Sequence, residues 1–316
     1  MKILVLGGNQ FLGKALCKKL LELGHRVYAL NRGTRENPLG VIHLKADRNN
    51  TEELKKVVSN INIDIVIDIS GYEPKQVEIF YKVMKENFKQ YIYISSASIY
   101  NNVQSYPINE DEVIGKNEIW GVYAENKYLS EMKIKELFKK TFYTIFRPFY
   151  IYGIGNNLNR ENYIFSRIEN NLPIYLPNKG EEIVQFGYVD DLVNAIIYSF
   201  NNKEFYNNIF NISGNEAVTF NQYVKICGKI AKKDVEIKYV NLEIKKLKAR
   251  DWFPFRDVHL FGNINKVLAT GFKNKYTLFE GLSLTYNYLK NNKLLEYPSL
   301  YNIEKEWYFM FQINKR

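Results

Sequence analysis

Short apolar runs of strand length alternate with helix-period segments through the first half of the chain, and no other feature restricts the fold as strongly. The runs are Ile3–Leu6, Val27–Leu30, Val41–Leu44, Ile65–Ile69 and Tyr91–Ile94, with helical segments from Phe11 to Leu23, from Thr51 and from Pro74. Such alternation builds right-handed βαβ units, whose strands pair in parallel beneath covering helices. Local signals point the same way. Gly24 stands where a helix C′ residue is expected, and Thr51, followed by Glu52 and Glu53, is placed as an N-cap. A helix containing Tyr123 to Glu131 and a strand Tyr143–Phe146 extend the pattern.

Directly after the first strand comes Gly7-Gly8-Asn9-Gln10-Phe11-Leu12-Gly13, running into an amphipathic helix. Glycines in this place let backbone amides approach a pyrophosphate, the helix N-terminus supplies partial positive charge, and Gly13 allows close helix-to-strand packing. A dinucleotide site is therefore expected over Gly7, Asn9, Gln10, Phe11, Leu12 and Gly13. Gln10 occupies the usual place of a middle glycine, so its side chain must turn away from the pyrophosphate or cover it. The second strand ends in Asn31-Arg32-Gly33-Thr34-Arg35. An acidic residue at Asn31 would accept bonds from a ribose 2′-hydroxyl and repel a 2′-phosphate; with Asn31 the repulsion is gone, and Arg32 and Arg35 offer charge-assisted contacts. The cofactor expected is NADP or NAD, with NADP preferred. Asp47 and Arg48 close the third strand, where the short-chain dehydrogenases that this glycine turn resembles place an acid against the adenine, and the resemblance assigns both to the same site.

Tyr123-Ala-Glu-Asn-Lys127 puts a phenol and an ammonium on one helix face. An ammonium nearby favours phenolate, which lets a tyrosine exchange a proton with a substrate hydroxyl while hydride moves to or from nicotinamide. Lys127 is also expected to hold the nicotinamide ribose. Upstream, Tyr91-Ile-Tyr-Ile-Ser95-Ser96-Ala97-Ser98 is a strand ending in hydroxyls at the edge where parallel sheets bind ligands. Ser96 is placed to orient the reacting oxygen towards Tyr123. The catalytic residues expected are thus Ser96, Tyr123 and Lys127.

Arg147-Pro148 and Gly153-Ile154-Gly155 mark a change of character, after which the elements shorten and mix. The expected fold is α/β: a Rossmann-type doubly wound parallel sheet with a smaller, discontinuous α/β substrate lobe. The dinucleotide domain is placed at 1–157, rejoined by about 187–213, where Val189–Phe200 reads as a helix and Ile209–Ile212 as a further buried strand. The substrate lobe takes 158–186 and 214–295. An aromatic tail follows at 296–316, with Trp307, Tyr308, Phe309 and Phe311.

Cys17 and Cys227 are too few and too isolated for a disulfide framework or a zinc site, so no metal is expected. The first apolar run is far short of a signal-peptide core and no later one approaches a membrane span. A cytoplasmic protein without membrane attachment follows. A formal charge of +10 suits a polyanionic partner, whether a phosphorylated ligand or nucleic acid, although scattered lysines produce the same total.

Across residues 1 to 290 the stretches GGNQFLG, LKADR, DIVIDISG, YISSASIY, YAENK, FRPFYIYGIG, VQFGYVDDLVNAI and FNISGNE resemble the extended short-chain dehydrogenases, the family of UDP-glucose 4-epimerase and its relatives. The resemblance implies that Ser96, Tyr123 and Lys127 are the catalytic triad, that Pro148 lies beside nicotinamide, and that Ser70 lies where the fourth strand meets the cofactor. It implies an NAD(P)-dependent epimerase or reductase acting on a nucleotide-sugar-like hydroxy or keto substrate, and a homodimer built on the helix bearing Tyr123. Dehydratases of the family carry an Asp-Glu pair where this chain has Ala97 and Ser98, so a 4,6-dehydratase is not expected. Tyr150 replaces an asparagine that many epimerases use on the substrate diphosphate. Ser98, Tyr150, Arg250 and Arg256 are the candidate substrate residues, with Trp252-Phe-Pro-Phe255 either lining the pocket or forming a core edge. The glycine turn and the Asn-Arg-Gly ending resemble a branch that includes chloroplast stem-loop-binding proteins. An RNA-binding protein that keeps the fold, or a non-catalytic NADP-binding sensor, are the alternatives.

Overall fold

The computed structural model describes residues 1–298; 299–316, with Trp307, Tyr308, Phe309 and Phe311 of the expected tail, lie outside the described residues. In chain order the elements begin with β1 (Lys2–Leu6), α1 (Phe11–Glu22), β2 (Arg26–Asn31), β3 (Ile42–Lys45), α2 (Thr51–Val58), β4 (Ile65–Asp68) and α3 (Pro74–Met84). Next come β5 (Gln90–Ile94), α4 (Val122–Leu137), β6 (Phe142–Pro148), β7 (Tyr150–Tyr152), α5 (Arg160–Glu169), β8 (Ile174–Pro177), β9 (Ile183–Tyr188) and α6 (Val189–Tyr198). The series ends with β10 (Asn208–Ile212), β11 (Ala217–Thr219), α7 (Phe220–Ala231), β12 (Ile237–Val240), α8 (Leu242–Lys245), α9 (Asn265–Ala269) and α10 (Leu278–Asn291).

A seven-stranded sheet runs in the order β10-β6-β5-β4-β1-β2-β3, and each of its pairings is parallel. Ile3, Leu4, Val5, Ile65, Val66, Ile67, Tyr91 and Ile92 are fully buried. That is why their runs are continuously apolar rather than alternating: helices cover both faces of these strands. The strand order turns back between β1 and β4, the place where doubly wound sheets take ligands at their C-terminal ends. Ile209–Ile212 does rejoin this sheet, as part of β10 beside β6.

Most element ends fall within two residues of the sequence reading. One cap is corrected: Thr51 is the first helical residue of α2, and Asn50 is its N-cap, with Oδ1 accepting from the amides of Glu52 and Glu53 at 3.1 and 3.2 Å. Asparagine outranks threonine at this position. In α3, Pro74 opens the helix and the Gln76 side chain returns to the amide of Glu73.

The chain divides into two compact units. The first holds Met1–Ile151, Phe186–Asn215 and Phe261–Lys275; the second holds Tyr152–Gln185, Glu216–Leu260 and the described residues from Tyr276. Residues 261–275, grouped with the second lobe on sequence, belong to the first unit, where Asn263 Nδ2 donates to Asn109 Oδ1 at 3.0 Å and the Lys275 amide to Asp191 Oδ1 at 2.8 Å. Within the second unit β12 lies parallel to β8 and β11 antiparallel to β9. Trp252 is buried there and its Nε1 donates to the Tyr175 carbonyl at 2.9 Å, while Phe253 and Phe255 pack against Phe220. Trp252-Phe-Pro-Phe255 is thus the aromatic core of that unit. Among the described residues no helix is long and apolar enough to cross a membrane, and no group of three or more His, Cys, Asp or Glu could hold a metal.

The glycine turn between β1 and α1 is packed to contact. A Cβ on Gly13 would stand 2.0 Å from the Gly7 carbonyl oxygen, a backbone atom that cannot swing aside. Gly13→Ala is expected to destabilise the fold by about 3 kcal/mol, lowering Tm by roughly 6 °C or more in thermal unfolding. An unchanged Tm would show that the turn yields.

Candidate active site

Gly7 takes φ +94° at the end of β1, and Ser70, just past β4, fills the place where a side chain on Gly7 would lie, with its Cβ 2.8 Å from that point. The turn ends in Gln10, whose carbonyl accepts from the amides of Gly13 and Lys14 at 3.0 and 3.3 Å. No side chain caps α1, and its first turn carries no acidic residue. The helix N-terminus therefore presents its first amides and its partial positive charge to an acceptor from outside the helix. This donor set fits the pyrophosphate of a dinucleotide. Asn9 ties the turn to the loop after β2 by donating to the Arg35 carbonyl at 3.2 Å. Phe11 and Leu12 begin α1, with Leu12 buried under it.

Lys127 lies in the second turn of α4 and is only 2% exposed. Its Nζ donates to the carbonyls of Gly71 at 2.8 Å and Ile94 at 2.7 Å, bridging the end of β5 and the loop after β4. The Tyr93 and Tyr72 rings flank it, with centroids 4.8 and 5.2 Å from Nζ. Gly71 accepts a second bond from the Tyr93 hydroxyl at 2.7 Å, and only glycine fits there, since a Cβ would meet Tyr93 at 2.8 Å and Asp68 at 2.9 Å. Burial pushes the lysine down to about 7, only partly opposed by the negative charge of Asp68.

Tyr123 stands one turn before Lys127, 41% exposed, with its ring 6.3 Å from that of Tyr72. The start of α4 is held by Asn117, which donates to the carbonyls of Ser98 at 2.8 Å and Tyr100 at 3.2 Å and accepts from the Trp120 amide at 2.9 Å. Ser96 opens the short 3-10 turn Ala97–Ile99, with its hydroxyl accepting from the Ser98 amide at 3.1 Å, and that turn packs on α4. Ser96, Tyr123 and Lys127 are thereby gathered at the C-terminal end of β5. The hydroxyls of Ser95 and Ser98 are buried with no hydrogen-bond partner among the described residues.

Several assigned residues have other engagements. The Arg48 guanidinium turns inward, forking onto the two oxygens of Asp68 at 2.7 Å each and onto Ser70 Oγ at 3.0 Å. Asp68 is fully buried and also accepts from the Tyr91 hydroxyl at 2.7 Å. Burial alone would raise its carboxyl, yet Arg48 holds it below the usual range. Asp47 closes its own turn by accepting from the Asn49 amide at 2.9 Å. Asn31 bonds within its loop, accepting from the Gly33 amide at 3.0 Å and donating to Asn37 at 2.9 Å, while Arg32 and Arg35 stay exposed. Pro148 ends β6 buried, in register with Ile212. Tyr150 is buried, its ring 5.9 Å from Phe186 and 6.4 Å from Trp120.

Arg250 and Arg256 belong to the second unit, Arg250 exposed and donating to the Pro254 carbonyl, Arg256 half-buried. Asp68, Tyr72, Tyr91 and Asn117 are not among the site residues expected from sequence. A signal existed for Asp68, a charged residue directly closing the apolar run Ile65-Val66-Ile67. None existed for Asn117, one of many asparagines in loops.

The buried lysine gives stability a definite pH dependence. Folded Lys127 releases its proton near pH 7, whereas unfolded it keeps the proton to 10.5. In that window the unfolded chain binds more protons, so this residue makes the fold more stable as pH rises. Lys127→Met removes the effect. Chemical denaturation of both proteins should show the wild type gaining roughly 4 kcal/mol on the variant between pH 7 and 10.5; a constant difference would contradict the burial.

Residues 3–213 match the sequence profile of the NAD dependent epimerase/dehydratase family. A chloroplast stem-loop binding protein of 41 kDa b from Arabidopsis thaliana is 33% identical over 306 residues, which cover 90% of this chain and 78% of that protein. The crystal structure of UDP-glucose 4-epimerase from Thermotoga maritima, solved with UDP-glucose, superposes with TM-score 0.79 at 22% identity, covering 93% of this chain and 100% of that one. UDP-glucuronic acid 4-epimerase from Bacillus cereus, solved with NAD, gives TM-score 0.73 at 19% identity over 94% of this chain and all of the other. At such identities the structures attest the fold alone. The profile match runs from β1 to the residue after β10, most of the chain: the chain is a member of the NAD dependent epimerase/dehydratase family.

Proposed function

We propose that the protein is a nicotinamide-dependent epimerase or reductase acting on a hydroxyl or keto group of a nucleotide-sugar-like substrate, with Ser96, Tyr123 and Lys127 at the reaction centre. The observation that carries this reading is the gathering of a half-exposed phenol, a buried ammonium and a serine hydroxyl at the C-terminal end of β5, in the same unit as an uncapped helix N-terminus behind a glycine turn. A bound nicotinamide would supply the hydride acceptor or donor. Gly7 to Gly13 and the amides of α1 would hold its pyrophosphate, with Ser70 and Pro148 lining the site. Ser96 is suited to orient a substrate oxygen and Tyr123 to exchange its proton, with Lys127 setting the charge beneath the phenol. The buried, unpartnered hydroxyl of Ser98 supports a polar ligand group at this corner, with Tyr150 in the same unit. Arg250 and Arg256 stay candidates for a diphosphate.

NADP is the preferred form. No carboxylate stands at the end of β2 to repel a 2′-phosphate, and Arg32 and Arg35 are exposed beside it. A homodimer built on α4 belongs to the same reading, supported by the exposure of Leu129 and Met132 one turn apart. Cytoplasmic residence fits the buried, unpaired state of Cys17 and Cys227.

A second reading has a specific support: the 33% identical relative is named a stem-loop binding protein. Together with the net charge of +10, it favours RNA bound through backbone phosphates, an affinity that would fall linearly on a log–log plot against salt. Negligible RNA affinity at moderate salt removes that reading.

The test of the first reading is a screen for bound dinucleotide, for NADPH and NADH oxidation and for sugar-nucleotide epimerisation. Tyr123→Phe should lower kcat by about 10²- to 10⁴-fold with dinucleotide affinity kept, and Arg32→Ala with Arg35→Ala should weaken NADPH more than NADH. Turnover that survives Tyr123→Phe would remove the phenol from the chemistry.

A further inference from the structure

Lys127 sits among charges that are all otherwise engaged. Among the described residues its Nζ reaches only carbonyls, those of Gly71 and Ile94. The two buried carboxylates whose charge it feels are Asp68 and Glu131. Asp68 is held by Arg48 through two bonds of 2.7 Å. Glu131, one turn beyond Lys127 on α4, is held by Arg147 of β6 at 3.0 and 2.7 Å, with both side chains buried. Arg147 is itself anchored, donating to the Glu110 carbonyl at 2.8 Å and to the Tyr100 hydroxyl at 3.1 Å.

We propose that Arg48 and Arg147 are positioning residues for Lys127: each withholds a carboxylate, so that the ammonium beneath Tyr123 is carried only by two backbone carbonyls and two tyrosine faces. Without the arginines, the same ammonium would feel two unbalanced buried carboxylates, Asp68 and Glu131. An ammonium paired with a carboxylate in a buried site stays charged far into the alkaline range; one held by neutral groups does not. Every element packed around the lysine contributes to this balance: Arg48 beyond β3, Asp68 and Tyr72 at the end of β4, Tyr91 and Tyr93 of β5, Tyr123 and Glu131 of α4, and Arg147 of β6. On the facing side of α3, Glu78 is paired with Lys133 at 3.1 Å on the surface. The charged neighbours thus form neutral pairs, and the low proton affinity of Lys127, about 7, follows from burial that these pairs leave uncompensated.

This inference rests on the reading that Tyr123 and Lys127 form the reaction centre, but its test uses no turnover, so the two can fail separately. The full-length protein is labelled with carbon-13 at lysine Cε, the Lys127 signal is assigned with Lys127→Met, and its titration is followed by NMR. The wild-type midpoint is expected near 7. Arg48→Met, which leaves Asp68 without its partner, should raise the midpoint by about one unit or more. Asp68→Asn and Glu131→Gln, which each leave an arginine unbalanced, should lower it, and the pair Arg48→Met with Asp68→Asn should return towards wild type. A role confined to packing would move stability without this reversal of sign. A wild-type Lys127 that titrates in the ordinary lysine range overturns the proposal whether or not the variants fold; so does a folded Arg48→Met whose Lys127 titrates as in the wild type.

Discussion

Burying an ammonium group is the demand that shapes the corner between β5 and α4. Removing a lysine charge from water is unfavourable unless hydrogen bonds replace the lost hydration. At Lys127 the replacement comes from the Gly71 and Ile94 carbonyls and from the Tyr72 and Tyr93 faces. Each partner constrains something further. The Ile94 carbonyl brings α4 against the end of β5, where Ser96 starts its turn, and the Gly71 carbonyl requires a residue without a side chain between Asp68 and Tyr93.

The same reasoning explains why the end of β4 is so polar. Asp68 on a fully buried strand end would be untenable alone; Arg48 and the Tyr91 hydroxyl satisfy it, and Arg48 passes a further bond to Ser70, against which Gly7 packs. The glycine turn, the end of β4 and the lysine therefore form one connected structure rather than three separate motifs. Guanidinium suits this work because its planar fork meets both carboxylate oxygens at once. Gln10, which departs from the common glycine pattern, joins without disturbing it, since only its carbonyl is needed to start α1.

How much of this could be read from the chain depended on the range of the interactions. The βαβ alternation was legible because burial on both faces leaves uninterrupted runs such as Ile3–Leu6, and the Gly7–Gly13 turn because tight packing admits no other residue at Gly13. The Thr51 cap misled because two adjacent residues, Asn50 and Thr51, both suit the role and geometry alone decides between them. Arg48 read as a cofactor contact because nothing local shows that Asp68, twenty positions on, claims its guanidinium. Trp252, Phe253 and Phe255 left core and pocket equally open, and only their packing on Tyr175 and Phe220 assigns them to the core. Long-range polar pairing and side-chain direction, unlike periodicity, leave no trace in a short window of sequence.

In the proposed reading the Tyr123–Lys127 corner and the Gly7–Gly13 turn serve one bound dinucleotide. A crystal structure of the protein grown with NADP tests it most directly. Pyrophosphate density is expected against the start of α1, with the pyridine ring beside Tyr123. A dinucleotide bound elsewhere, or a turn that stays empty at saturating NADP and NAD alike, would contradict it.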